Sequence, residues 1–227
     1  MKKTAIIVAG GTGSRMNSEM PKQLIELNGL PILMHTINVF YNYDKQIEII
    51  IVLPEDQINE WENLCEKHKF KIPHTIIKGG QTRFHSTQNA VKILTKNCLI
   101  AVHDGVRPLV SEDTLERCFS MAEKKGNAIP VIPIDESIRK IENEKNFPVI
   151  RDNYVKIQTP EVFISDILIE AFRQSYDESY TACNNVVEEI GIKINLVEGN
   201  RENIKITNQL DLIIAESLIK SKRNNDC

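Results

Sequence analysis

Short runs of β-branched and aliphatic residues alternate with stretches of helical periodicity along this 227-residue chain, and no other feature restricts the fold as much. Strands are expected at 4–9, 47–53, 74–78, 98–102, 128–132 and 193–197. These runs are apolar almost throughout, as strands covered on both faces should be. Helices are expected at 32–43, 56–69, 83–95, 113–125, 166–176 and 181–190. A last helix places Leu210, Ile213, Ile214 and Leu218 on one face, with Thr207 positioned to cap its start. The implied architecture is α/β, a mainly parallel sheet with helices on both faces. One stretch breaks the rhythm. Residues 136–142 and 149–157 are both β-prone and flank the polar turn 143–146, which reads as a hairpin arm projecting from the sheet.

Composition narrows the function classes. Lys and Arg number 28 against 31 Asp and Glu, a net charge of −3 that argues against a general nucleic-acid binder. Cys65, Cys98, Cys118, Cys183 and Cys227 are scattered and never spaced C-x-x-C, which argues against a disulfide framework or a zinc site and fits a reducing cytoplasm. The basic start, Met1-Lys2-Lys3, leads into an apolar run too short for a signal peptide. No run approaches the ~20 apolar residues that span a bilayer. The expectation is one domain over 1–219, with an arm at about 136–157 and a frayed polar tail at 220–227.

After the first strand comes Ala9-Gly10-Gly11-Thr12-Gly13-Ser14-Arg15-Met16. Glycines there allow a sharp turn that aims several N–H groups at one anion. No register supplies the Gly-Lys-Ser/Thr of a Walker A loop. Met16 stands where the dinucleotide fingerprint needs its third glycine. What remains is a glycine loop with Arg15, followed by Lys22 in Pro21-Lys22-Gln23: backbone donors plus two cations, a plausible triphosphate cradle. The later strand ends in His103-Asp104-Gly105-Val106-Arg107-Pro108, on the same sheet edge. Asp104 there can hold a Mg²⁺ bridging phosphate oxygens, and Arg107 can clamp a second phosphate. His103 is read as a packing or orienting group, since no other histidine completes a triad with it.

These residues resemble the 2-C-methyl-D-erythritol 4-phosphate cytidylyltransferases of the non-mevalonate isoprenoid pathway, from about Ile7 to Leu218. The likeness rests on AGGTGSRM at 9–16, PKQ at 21–23, GGQTRFHS at 79–86, HDGVRP at 103–108, QTP at 158–160 and EGNRENIKIT at 198–207. It implies a Rossmann-like, nucleotidyltransferase-like fold whose β-arm interlocks a homodimer. By this resemblance Ala9, Gly10, Gly11, Thr12 and Gly13 hold the CTP phosphates, and Arg15 and Lys22 stabilise the transition state. Gly80 and Ser86 look like part of the cytosine and ribose site, and Asp104 looks like the Mg²⁺ ligand. Arg107, Ser137, Arg151, Thr159, Thr181 and Lys205 match the methylerythritol phosphate pocket. Arg151 and Lys205 would orient the attacking phosphate, with Arg151 reaching from the arm into the partner's site.

Gln81 stands where an acid is frequent, Glu136-Ser137 replaces an Asp-Thr pair, Ala182 lacks the usual Asp, and Glu161 stands where Gln is common. The departures touch the acceptor side more than the triphosphate side. A ribitol-5-phosphate cytidylyltransferase, which shares the glycine loop and Pro-Lys-Gln, is the alternative. A catalytically silent nucleotide-binding protein and a nicotinamide oxidoreductase are further rivals. The retained Arg15, Lys22 and Asp104 argue against the silent protein.

Overall fold

A computed structural model of the chain describes residues 1–10 and 20–225, the stretch from 222 onward by backbone alone. The first strand, β1 (Lys2–Val8), pairs in parallel with β4 (Glu48–Leu53) on one side and β6 (Cys98–Asp104) on the other. Outside β4 runs β5 (Thr75–Lys78), also parallel. A short hairpin, β2 (Glu26–Leu27) with β3 (Leu30–Pro31), leads into α1 (Ile32–Tyr43). Between β4 and β6 lie α2 (Ile58–Lys67) and α3 (Arg83–Val91), and α4 (Glu112–Lys125) precedes β7 (Asn127–Pro133).

Because side chains alternate along a strand, the apolar strands feed two cores. Ala5, Ile7, Ile49, Ile51, Leu99 and Ala101 pack against α1, α2 and α4 through Phe40, Trp61 and Phe119. Ile6, Ile50, Val52, Ile100 and Val102 face the other way, against Phe84 and Ala90 of α3. That second layer also includes α5 (Ser165–Ala171) and α6 (Cys183–Glu189). Helices cover both faces, as expected.

Several boundaries differ from the sequence reading. The strand β11 (Glu161–Ile164) enters antiparallel between β6 and β7, a four-residue segment hidden by the helix that follows it at once. The arm is a hairpin of β8 (Arg139–Glu142) and β9 (Lys145–Pro148), turning at Asn143 and Glu144, both with positive φ. Its second strand therefore starts inside the stretch expected to be the turn. The segment expected to form that strand instead holds a 3-10 turn, Arg151–Asn153, and β10 (Val155–Ile157), which returns to β7. Val131 pairs with Ile157 of β10 and with Glu198 of β12 (Leu196–Glu198) on its opposite edge.

The last helix, α7 (Gln209–Asn225), runs on into the segment expected to fray. Among its described side chains the buried one is Ala215, flanked by half-buried Leu212, Leu218 and Ile219, while Leu210, Ile213 and Ile214 are exposed. The apolar face expected from the pattern is thus rotated, because the contact is with Leu27, Ile32, Val106 and Ile206 rather than with the main sheet. Asn208, not Thr207, caps this helix: its Oδ1 accepts from the Asp211 N–H at 3.0 Å, and the Asp211 carboxylate accepts in return from the Asn208 N–H at 3.0 Å. Thr207 adds its own N–H and hydroxyl to Asp211, both at 2.7 Å.

Candidate active site

The C-terminal ends of β1 and β6 lie side by side and set the site. The Ala9 N–H donates to the Val52 carbonyl at 2.9 Å, so the chain leaves β1 still pinned to β4. Gln23 follows Lys22 in a 3-10 turn, Lys22–Leu24, and its amide donates to the Ala9 carbonyl at 2.7 Å. At the end of β6, Gly105 lies so close to β1 that an added Cβ would come within 2.9 Å of the Ala9 Cβ. Thr82 caps α3 through its side chain, and the Ser86 hydroxyl accepts from the Gly80 N–H at 3.0 Å, closing the loop into that helix.

Two clefts open on this edge. The first, about 240 Å³, is lined by Ala9, Gly10, Lys22, Gly80, Ser86 and Asp104, together with Gln23, Gln81, Arg83 and Lys205. The second, about 300 Å³, is lined by Arg107, Thr159, Thr181 and Lys205, together with Arg83, Asp104, Glu161 and Asn185. Arg83, Asp104 and Lys205 line both, and form a seam between them.

Asp104 is the centre of the seam. Its carboxylate lies 3.0 Å from Lys205 Nζ, 3.2 Å from Arg107 Nε and 3.6 Å from Arg83 Nη2. Burial pushes its pKa upward, but the three cations outweigh that and hold it well below the usual carboxylate range. His103 beside it is sealed from solvent, with Nδ1 3.0 Å from the Thr159 hydroxyl and Nε2 2.9 Å from the Arg107 carbonyl. Burial lowers its pKa to about 4, so it is neutral and orients Thr159, in line with the packing role expected for it. The Thr159 hydroxyl in turn accepts from the Asp104 N–H at 3.2 Å. Arg107 also donates to the Asn203 carbonyl at 2.7 Å, which ties it to the loop that carries Lys205.

The structure thus gathers Ala9, Gly10, Lys22, Gly80, Ser86 and Asp104 in one cleft and Arg107, Thr159, Thr181 and Lys205 in the other. Ser137 and Arg151 are exposed and stand outside both clefts of their own chain; Arg151 donates to the Asp135 carbonyl at 2.6 Å. Gly11, Thr12, Gly13 and Arg15 lie outside the described residues. Arg83 and Glu161 also line the clefts; the sequence marked Glu161 only as a departure from the family pattern and did not mark Arg83. A signal for Arg83 did exist: a cation in the first turn of a helix opposes the helix dipole, and such a placement calls for a compensating anion.

Among the described residues no three His, Cys, Asp or Glu side chains gather to cage a metal. Asp104 nonetheless suits Mg²⁺, which takes one or two carboxylates and draws its remaining ligands from water and substrate phosphates. The carboxylate is ionised and opens onto the cleft that also holds Gly10 and Lys22.

A Rossmann-like α/β sheet carrying two adjoining clefts around a cationic seam suits an enzyme that brings two anionic ligands together, as a nucleotidyltransferase does. The family model for 2-C-methyl-D-erythritol 4-phosphate cytidylyltransferase matches residues 3–221, and the chain belongs to that family. A relative of that name from Azobacteroides pseudotrichonymphae is 49% identical over 96% of this chain and 99% of its own length. Another, from Bacteroides fragilis, is 44% identical over 96% of this chain and all of its own. Among solved structures, the 4-diphosphocytidyl-2C-methyl-D-erythritol synthase of Anaerococcus prevotii superposes with a TM-score of 0.81 at 27% identity, covering 96% of both chains. The 2-C-methyl-D-erythritol 4-phosphate cytidylyltransferase of Thermus thermophilus gives 0.79 at 26% identity, covering 97% of this chain and 100% of that one.

Proposed function

We propose that this chain transfers the cytidylyl group of CTP to 2-C-methyl-D-erythritol 4-phosphate and releases pyrophosphate, in isoprenoid precursor biosynthesis. The observation that carries this reading is the shared seam. Two clefts open on one carboxylate ringed by three cations, which suits two polyanions that must meet.

The acceptor is a phosphate monoester with a second pKa of ~6, already largely dianionic near neutrality, so no general base is needed. One of its oxygens attacks the α-phosphorus of CTP; the bond to the β-phosphate oxygen breaks and pyrophosphate leaves. Ala9, Gly10, Gly11, Thr12 and Gly13 would hold the triphosphate, with Gly80 and Ser86 at the base and ribose. Lys22 and Arg15 would stabilise charge that builds on the α-phosphate. Asp104 would hold Mg²⁺, which when bound offsets phosphate charge. Arg107, Thr159, Thr181 and Lys205 would line the acceptor side, and Ser137, outside its own chain's clefts, would join them from a second copy. Arg151 would reach an acceptor phosphate from the arm of a second copy, since it stands outside its own clefts.

The test is a panel of CTP, ATP, GTP and UTP crossed with 2-C-methyl-D-erythritol 4-phosphate and ribitol 5-phosphate, followed by pyrophosphate release. Release with CTP and the methylerythritol phosphate alone is expected. Release with ribitol 5-phosphate instead, or with no pair, overturns the assignment.

A further inference from the structure

We propose that Arg83 is a further substrate-binding cation of this site, contacting the phosphoryl oxygens that meet at the seam, and that Glu161 is the residue that positions it. This inference rests on the reaction proposed above for its substrates, but on separate observations for its residues. Glu161 is 1% exposed, yet every partner facing it is a donor. One carboxylate oxygen accepts from Arg83 Nη2 at 3.3 Å and from the Cys183 N–H at 3.2 Å. The other accepts from the Asn184 N–H at 2.7 Å and its side-chain amide at 2.8 Å. Only a group that accepts at both oxygens fits there, which a carboxylate does and a glutamine does not.

The local sequence explains why Glu161 is recruited. The residue at the start of α6 is Ala182, which has no side chain to cap the helix. The first amides of α6 are therefore satisfied from β11. The same carboxylate faces Arg83 at the first turn of α3, so one buried anion joins β11, α6 and α3 beside the second cleft.

A purely structural ion pair would use up its arginine. Here, among the described residues, the guanidinium makes two hydrogen bonds, to Glu161 and to Cys183 Sγ at 3.4 Å. A guanidinium carries five N–H donors, so it keeps donors in hand. Its approach to Asp104, at 3.6 Å, is an ionic contact only. Arg83 also lines both clefts, the position from which one planar fork can meet oxygens of a phosphate on either side.

The experiment compares wild type with Arg83→Gln, Arg83→Lys, Glu161→Gln and the Arg83→Gln/Glu161→Gln pair. Thermal melts check folding, and kcat and both KM values are measured. Arg83→Gln is expected to lower kcat about 100-fold, the scale of losing one preorganised donor, with CTP KM little changed. Arg83→Lys should recover part of that loss. Glu161→Gln should lower kcat about tenfold alone and not at all in the Arg83→Gln background, because it acts through Arg83. An equal loss in both backgrounds overturns the positioning role. If Glu161→Gln does not fold, Arg83→Gln decides: wild-type kcat and KM there overturn the proposal. Calorimetric titration with inorganic phosphate, a stand-in for the acceptor phosphate at the seam, is independent of the reaction, and Arg83→Gln should bind it about tenfold more weakly. A wild type that is inactive with every substrate pair sinks the proposed function alone. Equal inorganic phosphate affinity in wild type and Arg83→Gln sinks this inference whatever the activity.

Discussion

Asp104 and Lys205 are 101 positions apart in the chain, yet their charged groups lie 3.0 Å apart. Each was legible as a candidate, because HDGVRP ends a strand and Lys205 lies in the EGNRENIKIT segment that carries the family resemblance. Their pairing was not legible. Lys22 lines the first cleft, as the Pro-Lys-Gln segment suggested, and Lys22→Ala is expected to lower kcat about 10²–10³-fold while CTP KM changes little. Steady-state kinetics check this, and a change confined to KM would mean that Lys22 contributes uniform binding. Gly80 gives a second prediction. An added Cβ would lie 2.5 Å from the His85 Cβ and 3.0 Å from the His85 carbonyl carbon, so the first turn of α3 must move. Such overpacking costs about 1–3 kcal/mol. Gly80→Ala is therefore expected to lower the melting temperature and to raise CTP KM about tenfold, since that turn carries Ser86, proposed for the base and ribose. Wild-type values for both would show that the loop yields without strain.

At the scale of elements, the helices of the first half were read closely, and α1 falls on its expected residues. Elements were misread where a strand runs straight into a helix or a pattern admits two faces. β11 is four residues long, and nothing local separates it from α5. The face of α7 was misplaced because apolar residues surround much of that helix, and only its contact with Val106 and Ile206 selects one side. The start of α7 also fixes the loop that carries Lys205. Asp211 accepts from Thr207 twice and from Asn208 once, so Asp211→Ala removes three hydrogen bonds and half of a capping box. A loss of about 1–2 kcal/mol is expected in denaturant unfolding. KM for the alcohol phosphate should rise more than KM for CTP, because the slackened segment holds Lys205. An equal rise in both would place the effect elsewhere.

For the whole molecule, the arm is the telling feature. Ile141 and Ile150 are 78% and 71% exposed in the isolated chain, with Phe147 and Tyr154 also open, an apolar surface that suits a second copy. Arg151 stands on the same excursion, away from its own clefts. If Arg151 serves the partner's site, subunits carrying Lys22→Ala and subunits carrying Arg151→Ala should each be inactive alone and regain activity when refolded together. The mixed pair holds one intact site, so activity approaching a quarter of wild type is expected from random pairing. No recovery in mixtures that sedimentation shows to be dimeric would place Arg151 in its own chain's site. Among the described residues no helix is long and apolar enough to cross a membrane.

The amino-acid order by itself determined what depends on near neighbours: which runs extend, which coil, where glycines let the backbone turn, and which short motifs end on the ligand edge of the sheet. Hydrophobic period and turn chemistry act over a few residues, so they can be read in one dimension. Tertiary structure alone decided that Arg83, Asp104 and Lys205 would form a seam between two clefts, that Glu161 would cap a helix whose own start is an alanine, and which side of α7 would be buried. Those outcomes depend on Coulombic and packing contacts between segments far apart in the chain, whose strength is set by distance and burial, and neither exists until the sheet has assembled.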